Sequence, residues 1–322
     1  VVVSGDAARI DAAAPDAHVV DVNALDAGLG DRATFDVAQS DRAQAADAAP
    51  PLPRDGDIVE SLAWSPDAVT LAELEQSSPL TYARLQTVDI YKITYLSDGL
   101  QVRGYLLEPR AAGVYPAVIY NRGGNREYGA IDDDLVMYWV SRFAALGYVV
   151  VASQYRGNAG GEGQEEFGGA DVNDVLNLVP LLMAHPRADA SRIGMYGHSR
   201  GGMMTYLALR QTSAISAGIV DAGVSDCFAW IDQRPEMEDV FAELVPDFWS
   251  TRDAALTARS AQRWPGELPA GAPLLLIHGD ADERVDVSHA IDMDAALRAL
   301  GHPVQLELFA GADHALSGYL TE

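Results

Sequence analysis

Cysteine and lysine are almost missing from this chain: its 322 residues hold one cysteine, Cys227, and one lysine, Lys92. A lone cysteine forms no internal disulfide, so stability must come from packing. The helical stretch VSDCFAWID offers Cys227 no turn that would present a nucleophile, and a buried small hydrophobe is expected there. Positive charge is scarce too, with 22 basic against 47 acidic residues and a formal charge of -25. Such a chain repels phosphate backbones and anionic membrane surfaces, which argues against a nucleic-acid partner. No apolar run is long enough to span a membrane, and the chain does not open with methionine or a charged-then-apolar signal. Neither His-Glu-x-x-His, nor paired cysteines, nor a Gly-x-Gly-x-x-Gly after the first strands is found, so no metal and no cofactor is expected.

What is present divides into unlike regions. Residues 1–53 are rich in Ala and Asp and end in the proline cluster Pro50, Pro51 and Pro53. Aspartate recurs at Asp6, Asp11, Asp16, Asp21, Asp26, Asp31, Asp36 and Asp41. A step of five turns a helix by about 500° and walks the charge round every face, while in a strand it alternates sides. Neither element gains a polar face, so a disordered, self-repelling spacer is expected. Such a segment resembles the tethers that follow the signal peptides of bacterial lipoproteins, which makes export (periplasmic or surface-tethered) one expectation and a cytoplasmic location the other. Residues 54–84 read as a connecting segment.

From about residue 85, short β-branched and aromatic runs alternate with helical stretches. VDIYKITYL and QVRGYLLEP, split by Ser97-Asp98-Gly99, predict an antiparallel hairpin. PAVIYN, YVVVASQ, RIGMYGH, ISAGIVDA, PLLLIHG and PVQLELFA follow as apolar strands, with helices expected over 133–147, 171–185, 200–211 and 285–300. Continuous apolar strands between helices predict an α/β fold with a mostly parallel twisted sheet covered on both faces. A helical insertion over 224–268 precedes the last two strands and is placed over the carboxyl edge, where open α/β folds bind ligands.

The strongest chemical signal is Gly197-His198-Ser199-Arg200-Gly201, which closes the strand RIGMYG and opens a helix. That setting is the nucleophile elbow of the α/β-hydrolase fold, with Ser199 on a strained turn and the Arg200 backbone N–H beside its hydroxyl. A serine hydroxyl needs a base, and the base needs an acid to fix its tautomer. The fold orders them Ser, acid, His along the chain. PLLLIHG runs into Asp280-Ala281-Asp282, and PVQLELFA ends in Gly311-Ala312-Asp313-His314, so acid and base fall on the same sheet edge as the elbow. His314 is the proposed base; Asp280, Asp282 and Asp286 are all candidates for the acid. A second oxyanion donor is expected in Tyr120-Asn121-Arg122-Gly123-Gly124.

The motifs YNRGGNREYG, YRGNAGGEGQEEFGGADVNDVLNLV, SRIGMYGHSRGG, HGDADERVDVSHA and GADHAL resemble the catalytic domain of the prolyl oligopeptidase family over residues 85–320. The resemblance selects Asp282 as the acid and implies Ser199, Asp282 and His314 as the triad. It also implies a tyrosine in the oxyanion hole, a role for which Tyr120 and the Arg122 position are both candidates beside Arg200. A short peptide or aminoacyl amide is then the expected substrate. Only about 85 residues precede the core, too few for the β-propeller that filters substrates in large members of the family. A carboxylesterase with the same triad therefore stays open, as does a hydrolase-like binding module that has lost catalysis.

Overall fold

The computed structural model describes residues 52–319, so the acidic spacer expected over 1–53 falls almost wholly outside the described residues. Nine strands form one sheet: β1 (Ile58–Trp64), β2 (Val88–Ser97), β3 (Leu100–Pro109), β4 (Tyr115–Asn121), β5 (Val149–Ser153), β6 (Ala188–His198), β7 (Ile215–Asp221), β8 (Leu274–Gly279) and β9 (Val304–Phe309). Their order is β1-β2-β3-β5-β4-β6-β7-β8-β9. The first three strands are antiparallel to their neighbours, and β5, β4, β6, β7, β8 and β9 run parallel. This is the α/β-hydrolase arrangement that the alternating pattern predicts.

The central strands show why it closes. In β4, Ala117 and Ile119 point into one apolar layer, and Val118 and Tyr120 into the other. In β5, Val149 and Val151 alternate with Val150 and Ala152 in the same way. A strand buried on both faces must be apolar throughout, and both are. The β2–β3 hairpin turns on Asp98 (φ 51°) and Gly99 (φ 75°), the pair of positive φ values that a two-residue turn needs. At the far edge β9 turns Gln305 and Glu307 to solvent, which blunts an unpaired edge.

Three features differ from the sequence reading. Residues 54–84 are more than a connector: they add β1 to the sheet and pack the helices Ala68–Ser77 and Pro79–Leu85 through Leu74 and Leu85. The helix expected over 171–185 is two, Val172–Leu176 and Leu178–Ala184: Pro180, in the first turn of the second, has no N–H to donate to Leu176 O and interrupts the ladder there. The helix from Asp133 widens into a π-turn over Val136–Val140 before ending at Ala145, with Gly147 (φ 92°) beyond it. Within 224–268, the helices Cys227–Gln233, Glu236–Leu244 and Phe248–Arg259 enclose a cluster of Trp230, Phe241 and Phe248 that packs on Phe167.

Candidate active site

Ser199 sits between β6 and the helix Arg200–Leu209 with φ 57° and ψ -122°, a conformation that only a tightly held turn imposes on a non-glycine residue. Its N–H donates to Asp221 O at 2.8 Å, pinning the elbow to the end of β7. Glycine is required on both sides: a Cβ at Gly197 would collide with Gly201 O, and one at Gly201 with Asn121 O. The hydroxyl is thereby lifted to the carboxyl edge of the sheet, where Ser199 and His314 line one cavity of about 850 Å³.

Asp282 follows β8 and is buried. Its Oδ1 accepts from the N–H groups of Arg284 (2.7 Å) and Val285 (3.0 Å), and its Oδ2 accepts from His314 Nδ1 at 2.7 Å. Burial alone would raise its carboxyl, but hydrogen bonds from His278 and His314 reverse this and hold it well below the usual carboxylate range. The other two acids are engaged elsewhere: Asp280 Oδ1 accepts from Gly311 N at 2.5 Å, and Asp286 Oδ1 from Ser288 N at 2.9 Å. His314 is itself held below its ordinary value of 6.5. Burial is the main cause and the charge of the adjacent His198 adds to it, against the opposing hydrogen bond to Asp282.

Of the residues expected at the oxyanion site, Arg200 turns its guanidinium inward. There it pairs with Glu165 at 2.8 Å and with Asp171, stacks on Phe167 and bonds Gly124 O. Its backbone N–H is among the first of a helix, a group without an intrahelical acceptor. Arg122 does not line the cavity; it donates to Gln154 O, Gly123 O and Arg126 O, and burial lowers its guanidinium to about 10. Tyr120 lines the cavity with its ring stacked on Tyr196 at 5.3 Å. Within this loop Gly123 comes close to the nucleophile: an added Cβ there would stand 3.2 Å from Ser199 Cβ. The two buried arginines thus brace the loop and the elbow from behind. The walls come from the insertion and its neighbours, through Trp230, Met237 and Phe167.

Three histidines that motif order sets aside lie close by. His198 lines the cavity, its ring 4.7 Å from that of His314 and its Nδ1 3.4 Å from Asp221 Oδ2. His278 and His289 are buried beneath Asp282. Cys227 is buried in the core, its thiol pushed up to about 12 by desolvation, far from nucleophilic use.

The family model for the prolyl oligopeptidase family matches residues 135–320. The uncharacterized peptidase YtmA of Bacillus subtilis is 33% identical over 237 residues, 71% of this chain and 87% of that protein. Dipeptidyl-peptidase 5 of Porphyromonas gingivalis is 27% identical over 62% of this chain, which spans 30% of its length. Among solved structures, the acylaminoacyl peptidase of Pyrococcus horikoshii superposes with a TM-score of 0.62 at 26% identity, covering 75% of this chain and 40% of that one. The chain thus spans most of the Bacillus relative and well under half of the other two. By family match, fold and relatives alike, the chain belongs to the prolyl oligopeptidase family and is a serine hydrolase of the peptidase type.

Proposed function

We propose that the chain hydrolyses an amide bond in a short peptide or aminoacyl substrate through an acyl-enzyme on Ser199, with His314 as base and Asp282 as its orienting acid. The observation that carries this reading is the 2.7 Å bond from His314 Nδ1 to Asp282 Oδ2 at the cavity that Ser199 also lines. With hydrogen on Nδ1, the lone pair of His314 is on Nε2, the nitrogen that must accept the serine proton.

Ser199 Oγ adds to the carbonyl carbon as its proton passes to His314 Nε2. The oxyanion is met by the backbone N–H groups of Arg200 and Gly123. The imidazolium returns the proton to the departing amine, water adds to the ester by the same route, and the acid leaves. Asp282 keeps the ring in one tautomer and stabilises its cationic form. As burial lowers His314, the acid limb of kcat/KM is expected below pH 6.5 rather than at that reference value.

The relatives named above as peptidases support an amide substrate. Fluorogenic aminoacyl amides compared with short-chain nitrophenyl esters, ranked by kcat/KM, test it. Turnover of amides that disappears in Ser199→Ala is the expected result. Turnover of esters alone overturns the peptidase reading in favour of the esterase, and turnover of neither favours a binding module.

A further inference from the structure

Asp282 receives a hydrogen bond that no triad requires. His278 is on β8 in the same row as Leu274 and Leu276, which pack into the apolar layer, and its side chain is fully buried. Its Nε2 is 2.7 Å from Val285 O and 3.2 Å from Asp282 Oδ2. A carbonyl oxygen only accepts, so the hydrogen is on Nε2 and is shared between the two. Nδ1 then carries a lone pair and has no partner. Behind it His289 Nδ1 accepts from Ser225 N (3.2 Å) and Asp226 N (3.3 Å), which puts the hydrogen of that ring on Nε2, also without a partner. A leucine in this row would remove the hydrogen bonds to Val285 O and Asp282 Oδ2, so the imidazole is there for the hydrogen it donates and not for packing alone.

We infer that His278 is a positioning residue: its Nε2–H, anchored on Val285 O, fixes the Asp282 carboxylate so that Oδ2 faces His314 Nδ1. The inference rests on the proposed roles of Ser199, His314 and Asp282. With Oδ1 held by two backbone N–H groups and Oδ2 by His278 on one side, the carboxylate has one remaining direction of strong acceptance, toward His314. The donor is an imidazole N–H rather than a guanidinium or ammonium. The groups facing His314 are Asp282, His198 and Arg284. Those facing His278 are Asp282, Asp286 and His289.

The test uses the full chain with an aminoacyl amide. In His278→Leu, kcat is expected to fall about tenfold to hundredfold, as orienting hydrogen bonds of this kind contribute elsewhere, with KM nearly unchanged. The acid limb of kcat/KM is expected to move to higher pH, because an Asp282 oxygen no longer shared binds the His314 proton more tightly. His278→Gln places an amide nitrogen where Nε2 stood and is expected to recover most of kcat. Should the leucine variant not fold, His278→Asn, too short to reach Asp282, carries the same expected loss. An unchanged kcat and acid limb in folded His278→Leu or His278→Asn overturns the inference, as does a glutamine variant no better than the leucine one. A chain whose Ser199→Ala variant keeps its activity instead overturns the triad reading beneath it.

Discussion

Two buried aspartates, one at the end of β7 and one three residues past β8, each face a histidine: Asp221 with His198 and Asp282 with His314. The residue types match, yet the environments do not. Asp282 accepts from four N–H groups, with His314 at 2.7 Å. Asp221 accepts from Tyr196 OH at 2.6 Å, has His198 Nδ1 only at 3.4 Å, and leaves Oδ1 buried without a partner. A catalytic acid must hold its base in one tautomer and one direction, and only the Asp282 pair has the hydrogen bonds to do so. Composition offers both pairs; what distinguishes them is the loop after β8, which turns two backbone N–H groups onto one carboxylate, and β8 itself, which adds the imidazole of His278.

The comparison can be broken most severely at its centre. Ser199→Ala is expected to lower kcat by about 10⁶-fold, measured on an aminoacyl amide at saturating concentration. Asp282→Asn is expected to cost about 10⁴-fold, because an amide presents a donor or a weaker acceptor to His314. Asp221→Asn, the same change on the other pair, is expected to leave kcat/KM within an order of magnitude, since Tyr196 can donate to the amide oxygen as it does to the carboxylate. Equal losses at the two aspartates would erase the distinction.

Smaller effects sharpen it. His198 is the nearest positive charge to His314 when protonated, and His198→Gln is expected to shift the acid limb of kcat/KM upward by a few tenths of a pH unit. Behind Asp282, burial holds His289 down to about 4. Its unfolded form binds a proton from pH 6.5 downward while the folded form does not, so stability is intact above pH 6.5 and is lost as pH falls toward about 4. Thermal melting between pH 7 and 4 checks this, and His289→Asn, which keeps an acceptor for Ser225 N, is expected to flatten the dependence.

Most of the sheet was legible because strands such as β4 and β5 are buried on both faces and must be apolar from end to end. Ser199 was legible for a similar reason, since few residue combinations fit between Gly197 and Gly201 at a strand-to-helix turn. The strand Ile58–Trp64 was not, for it is an edge strand with an exposed, mixed sequence and no period to read. Nor were the inward turns of Arg122 and Arg200. An arginine is buried only when partners surround it, and these come from Gln154, Glu165 and Asp171, distant in sequence and set by the fold. His278 was hidden by its position: a lone histidine before a glycine in an apolar run carries no motif, and its meaning comes from Val285 folding back over it.

Fluorophosphonate labelling followed by peptide mapping addresses the central claim most directly, because it reads the nucleophile and the base together and needs no knowledge of the substrate. A single adduct on Ser199 is predicted, forming at a rate that falls through a midpoint below pH 6.5, collapses in Asp282→Asn and survives in Asp221→Asn. An adduct on another residue, or a labelling rate indifferent to Asp282, would contradict the account.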